Sequence, residues 1–241
     1  MTKAKGIHHD AVELLAKWIT GGRYGAGDSL PVETAICETL GVSRTVVREA
    51  VKTLVAKGLL RSGPRVGTRV LPKEHWNLYD PQVIGWRLDA GVDETFLRDV
   101  IALRLAIEPE AAALAAVDAS EADRAVLGEA YVAMAQAVEA RTGYFEADLR
   151  FHSTILRATR NQFFIAFIPI VTAVLRVSIS FSVRSQATVE SSLPLHEAAA
   201  SAIRAGDAAA AAHAMRILIA RAREDIHARV IPDIGAIRGA A

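Results

Sequence analysis

The stretch from Leu30 to Val70 restricts this chain more than any other. It opens with Leu30-Pro31-Val32-Glu33 and runs through Gly41-Val42-Ser43-Arg44-Thr45-Val46-Val47-Arg48-Glu49-Ala50. It closes with Gly58-Leu59-Leu60 and then Arg61-Ser62-Gly63-Pro64-Arg65-Val66-Gly67-Thr68-Arg69-Val70. A helix is expected over 33–40, ended by Gly41. The Ser43 hydroxyl can accept from the free N–H groups of a helix start, so a second helix is expected from Ser43 to Lys57, stopped by Gly58. On that helix Val47, Val51, Leu54 and Val55 recur at helical spacing and can face a core. Arg44, Thr45, Arg48 and Lys52 fall on the other side. Two arginines and a hydroxyl in the first turns suit a major groove, and a helix N-terminus favours phosphate. Arg61 to Val70 reads as a short basic hairpin with turn residues, a wing. Asp10 to Ile19 supplies a first helix, with Val12, Leu15 and Ile19 on one face. A lone arginine-rich helix is more often a solvated face. Here the ordered run of pieces points to DNA.

Charge agrees. Residues 1–73 hold 12 Lys and Arg against 6 Asp and Glu, a net +6, and residues 74–241 hold 16 against 21, a net −5. A basic first part beside an acidic remainder fits DNA binding by the first part alone. Cys37 is the only cysteine, so no intrachain disulfide can form, which fits a reducing cytoplasm. The first ten residues show no apolar run, and no secretory leader is expected. Phe163 to Leu175 is the most apolar segment. It is interrupted by Pro169 and falls short of the roughly 20 residues a bilayer span needs, so no membrane partner is expected.

The expected fold is mainly α: a winged helix-turn-helix over 1–72 with three helices and a small β wing, a linker and first helix over 73–92, and an all-α bundle of six to seven helices over 93–230. The linker's aromatics, Trp76 and Tyr79, suggest that it packs on something. Helices are expected at 81–90, 93–117, 120–140, 143–159, 162–184, 193–205 and 207–229, separated by Gly91, Gly143, Asn161, Pro194 and Gly206. Within the bundle, Arg104 and Glu108 stand four apart, as do Asp148 and His152, so each pair shares a helix face. His196 opens a later helix. Taken singly, such pairs are more often structural than functional.

The first 70 residues resemble the GntR family of winged helix-turn-helix transcription regulators. Arg104-x-x-x-Glu108-Pro109, then Asp148-x-x-x-His152 with Asn161 following, then His196 leading to Gly206-Asp207 and Met215, resembles the FCD effector domain of its FadR subfamily, from about 93 to 225. The resemblance implies that Ser43, Arg44, Thr45 and Arg48 read bases and phosphates while Arg65 and Gly67 place the wing. It implies a homodimer on double-stranded operator DNA, and a carboxylate effector held with Arg104. It further implies a divalent metal, zinc or similar, on Asp148, His152 and His196, which would also contact the effector. The family's fourth ligand falls at Leu218, and His213, five residues earlier, lies about 140° around the helix from it. A three-ligand site with open positions, or direct hydrogen bonding of the effector by the same side chains, both remain open. Trp76-Asn77-Leu78-Tyr79-Asp80-Pro81-Gln82-Val83-Ile84-Gly85-Trp86 resembles the linker of subfamily repressors of sugar-acid catabolism, which also tend to lack the last histidine. On that resemblance the effector is a galactonate-type hexonate or a hexuronate, and its binding releases the operator.

Other readings are an activator, or a regulator answering another carboxylic acid. A metal-dependent enzyme with a DNA-binding arm would need Glu108 or Glu146 as its base. A non-specific architectural DNA protein would be expected to carry more than +6 on its DNA module. The expectation is a regulator and not an enzyme.

Overall fold

The computed structural model describes residues 2–63, 67–182 and 186–238, with side chains described over 6–63, 67–180 and 186–225. The chain divides into two units between Val92 and Asp93.

The first unit begins with α1 (Thr2–Thr20), α2 (Glu33–Leu40) and α3 (Arg44–Ala56). Ser43 caps α3, its Oγ accepting from Val46 N at 3.4 Å. Gly41 follows α2 at φ 63, the left-handed bend that turns the chain toward α3. Val47, Ala50 and Leu54 are fully buried and Val51 nearly so. Val55 is 38% exposed, contrary to the expected core face. Ala50 lies about 60° from Val47 on the helical wheel, beyond Leu54, and extends the stripe on that side, while Val55 is rotated about 80° off it on the other. Strands β1 (Leu60–Gly63) and β2 (Gly67–Val70) pair antiparallel, with Leu60 opposite Val70 and Arg61 opposite Arg69. A 3-10 turn (Lys73–His75) leads to α4 (Pro81–Asp89), capped by Asp80. Leu15 of α1, Leu54 of α3, Leu59, Val83 and Trp86 meet in one apolar core. Truncating a buried leucine there to alanine should cost about 2–5 kcal/mol.

The second unit is helical throughout its described residues: α5 (Glu94–Asp118), α6 (Glu121–Ala140), α7 (Tyr144–Ala158), α8 (Gln162–Ala166), α9 (Ile168–Ser182), α10 (Gln186–Ala205) and α11 (Ala208–Arg238). Helix α5 packs on α7, α9, α10 and α11, so its inward face is the spine of the bundle. The expected helix 162–184 is two helices, because Pro169 lacks an N–H and disfavours helical backbone at Ile168. Proline does not end α10 at Pro194 or α5 at Pro109, and both helices run through. Packing on neighbours holds them across the missing bond. Arg124 of α6 ties two helix ends together. Its guanidinium donates to the Ala116 carbonyl (2.9 Å), the Arg204 carbonyl (2.8 Å) and the Ile203 carbonyl. These are carbonyls that helix C-termini leave without partners. Among the described residues, no helix is long and apolar enough to cross a membrane.

Candidate functional sites

One site lies on the first unit. Ser43, Arg44, Thr45 and Arg48 are all exposed along the outer side of α3. Arg48 Nε donates to Glu33 Oε2 at 2.8 Å, which leaves the outer fork of the guanidinium facing away from Glu33. Gly67 stands at φ 70 opposite Gly63, at the outer end of the wing's ladder, with open space where a Cβ would be. Arg65 lies outside the described residues. The ladder adds a pair that sequence reasoning did not single out. Arg61 and Arg69 are direct cross-strand partners, both exposed. Like charges opposite one another destabilise a hairpin; Arg69 Nη1 donates to the Gly27 carbonyl at 3.0 Å, and a polyanion would relieve the repulsion that is left. The signal was present in the sequence, since both arginines lie four residues from the centre of the hairpin turn.

The second site lies inside the bundle. Arg104 and Glu108 come from α5, Asp148 and His152 from α7, Ser178 from α9 and His196 from α10, and all six are at most 5% exposed. Pro109 follows Glu108 directly, and Pro194 precedes His196 by two residues. Both helices thus carry a site residue within two positions of an internal proline. Arg104 Nε donates to Glu108 Oε1 at 2.6 Å, and its Nη1 donates to Ser178 Oγ at 3.1 Å. Burial pushes the Glu108 carboxyl up, but the Arg104 guanidinium and His152 outweigh it and hold it down at about 2. Burial likewise raises Asp148, and His152, His196 and Arg104 overcome it and leave that carboxyl lowered. Tyr144 is raised by burial and by Asp148, and its hydroxyl lies 2.8 Å from Ser192 Oγ.

The imidazoles carry the chemical signal. His196 Nδ1 is 2.8 Å from the Ser192 carbonyl, which can only accept, so Nδ1 holds the proton. Nε2, on the other side of the ring, lies 3.0 Å from Asp148 Oδ1. His152 Nδ1 approaches Glu108 Oε2 at 2.6 Å, and its Nε2 lies 3.8 Å from Asp148 Oδ1. His152 Nδ1 and His196 Nε2 are both buried without an aligned hydrogen-bond partner, for all their closeness to carboxylates. Two acceptors facing each other repel unless a proton or a cation stands between them. Donors on one first-row ion stand roughly 3–3.6 Å apart at bond lengths of about 2.1 Å, and these separations bracket that range. The carbonyl behind His196 and the carboxylate behind His152 are the kind of partners that orient metal-bound imidazoles. Asp148, His152 and His196 therefore fit a divalent cation.

A small cleft of about 50 Å³ opens beside them, lined also by Thr188, Ser192, Leu218, Arg221 and Asp225. Leu218 is 5% exposed, and His213 is exposed on the outside of α11. Arg221 and Asp225 follow Leu218 by three and seven residues, on the same helix face. That projection would have found them in the sequence. Arg221 Nε lies 3.5 Å from Asp225 Oδ1. Asn161 caps α8 through Phe163 N and takes no part in the cleft. Glu146 is exposed, and it lines a separate surface groove.

A winged helix-turn-helix followed by a helical bundle with a buried polar centre defines a ligand-sensing transcription regulator. The profile of the gntR family of bacterial regulatory proteins matches residues 8–70, and that of the FCD domain matches 99–221. The chain belongs to the GntR family. It is 34% identical over 217 residues to the Escherichia coli HTH-type transcriptional regulator YieP, covering 89% of this chain and 93% of that one. It is 31% identical over 210 residues to the E. coli galactonate operon transcriptional repressor, covering 86% and 90%. Among solved structures, the Listeria monocytogenes regulator Lar superposes with a TM-score of 0.66 at 16% identity, over 92% of this chain and 97% of that one. This last likeness shows the fold.

Proposed function

We propose that the protein is a repressor that binds operator DNA as a homodimer and releases it on binding a sugar acid of the hexonate or hexuronate class. The observation that carries this reading is the buried cluster of Asp148, His152 and His196, with His196 Nε2 at 3.0 Å from the Asp148 carboxylate, at the floor of a cleft. The 31% identity to the galactonate operon repressor supports the choice of effector. Asp148, His152 and His196 would hold a divalent cation. When bound, the ion offers a Lewis-acid point for a carboxylate and its neighbouring hydroxyl. Tyr144, Thr188 and Ser192 supply hydroxyls along the cleft, suited to a polyol chain. Arg104 is committed to Glu108, so its part is to hold Glu108 and Ser178 in place. Arg221, half-exposed on the cleft wall, is the better placed cation for a carboxylate. On the first unit, Ser43, Arg44, Thr45, Arg48 and Gly67 would meet the duplex. Effector acts through its different affinity for two arrangements of the dimer. Glu108 is held ionised by the Arg104 guanidinium and Glu146 faces solvent, so neither supports an enzymatic base.

Thermal unfolding against a panel of sugar acids, with and without chelator, tests the reading. A ligand bound only by the folded state raises the midpoint. A rise with a hexonate or hexuronate that chelation abolishes supports both effector class and cation. A rise that survives chelation moves the binding to the side chains themselves. No rise with any sugar acid rejects the effector class.

A further inference from the structure

The linker segment Trp76–Trp86 belongs neither to the DNA face nor to the cleft, yet it is tied to α3 and to α1 at separate points. Lys57 caps the C-terminus of α3, and its carbonyl accepts from Asn77 N at 2.9 Å. Lys57 Nζ pairs with Asp80 Oδ2. The other oxygen of that carboxylate accepts from Gln82 N at 2.9 Å and caps α4. Gly58 stands at φ +78, and a Cβ there would lie 2.1 Å from the His75 carbonyl oxygen, so the linker runs directly against the end of the reading helix. At the far end of α4, Trp86 is buried and its Nε1 donates to Glu13 Oε2 of α1 at 2.7 Å.

We propose that Lys57, Asp80, Trp86 and Glu13 form a latch that makes α4 part of the DNA-reading head. The latch holds α4 against the last turn of α3 and against α1, so that α4 moves with the recognition helix. One carboxylate holds the last turn of α3 and the first turn of α4 together. Lys57 and Asp80 are only 13% and 21% exposed, so this pair is shielded from the water that weakens surface ion pairs. Asp80 and Trp86 are six residues apart, about 9 Å along a helix. Two anchors at that separation fix both the position and the tilt of α4. Gly91, at φ +95, is the first residue after α4 whose backbone favours glycine. These are positioning residues, acting on DNA through α3. The inference rests on the DNA-reading half of the proposal and not on the effector.

Two full-length variants test it. Lys57→Met/Asp80→Asn removes the ion pair without leaving a lone charge, and Asn still caps α4. Trp86→Phe keeps an aromatic ring, though a smaller one, and removes the donor. Amide hydrogen exchange should quicken at least about tenfold over residues 84–89 in either variant, with 99–116 unchanged. Selection from duplexes carrying two randomised half-sites at graded spacings is the second readout, because half-site spacing follows from how the reading heads are held. The natural chain should select one spacing and the variants several. Unchanged exchange in α4 would overturn the latch. Faster exchange with an unchanged spacing preference would overturn its role in reading, and so would a natural chain that selects no fixed spacing.

Discussion

His196 Nε2 stands 3.0 Å from the carboxylate of Asp148, while the Ser192 carbonyl holds the opposite nitrogen of the ring. That arrangement suits a proton or a cation between the two groups. His196→Ala or Asp148→Ala should lower zinc affinity by more than about 100-fold, beyond the 10–100-fold typical of losing an orienting partner. Leu218→His should tighten it, since the cleft wall at Leu218 is where the family places a fourth ligand. Metal titration followed by competition with a chelator reads both.

Arg104 and Arg221 should separate by phenotype. Arg104→Ala leaves Glu108 charged and buried without its guanidinium, and should cost about 3–5 kcal/mol of stability. Arg221→Ala should leave the melting temperature nearly unchanged and weaken sugar-acid binding about tenfold or more. Calorimetric titration beside thermal unfolding distinguishes them. A strong ligand phenotype in a stably folded Arg104 variant would reverse the assignment.

Acid should unfold the second unit through Glu108. Its folded value is about 2 against an ordinary 4.5. The stability it contributes is present above the unfolded value and is lost as pH falls from about 5 toward 2. The amount is on the order of 3 kcal/mol. Chelator-treated protein should therefore lose melting temperature steeply in that window, and Glu108→Gln should flatten the slope while lowering the plateau.

On the DNA side, Arg48→Ala should weaken operator binding by about 1–3 kcal/mol and leave sugar-acid binding intact. Fluorescence anisotropy on a selected duplex measures this. Because Glu33 holds Arg48 Nε, Glu33→Ala should shift base preference where Arg48 reads, with little loss of phosphate contact.

The reading unit was legible because its signals are local. A cap at Ser43, stops at Gly41 and Gly58 and an alternating basic hairpin each act within a few residues. Asp148 and His152 were legible for the same reason, being one helical turn apart. Ser178 and Thr188 were not, because five helices bring the cleft's side chains together and no short pattern encodes that packing. Pro194 misled as a helix end, since neighbours on the bundle outweigh its missing hydrogen bond. Val55 misled by spacing alone, where the small Ala50 gave α3 its close approach to the core.

Arg61 facing Arg69 across the wing has a consequence for ionic strength. In the free protein the two guanidinium groups repel, and counterions relieve that repulsion as salt rises. A bound phosphate backbone relieves it as well, so duplex and salt compete for the same relief. Affinity should then fall with salt more steeply than the number of displaced counterions alone requires. Neutralising either arginine should soften that dependence by more than one phosphate contact's worth.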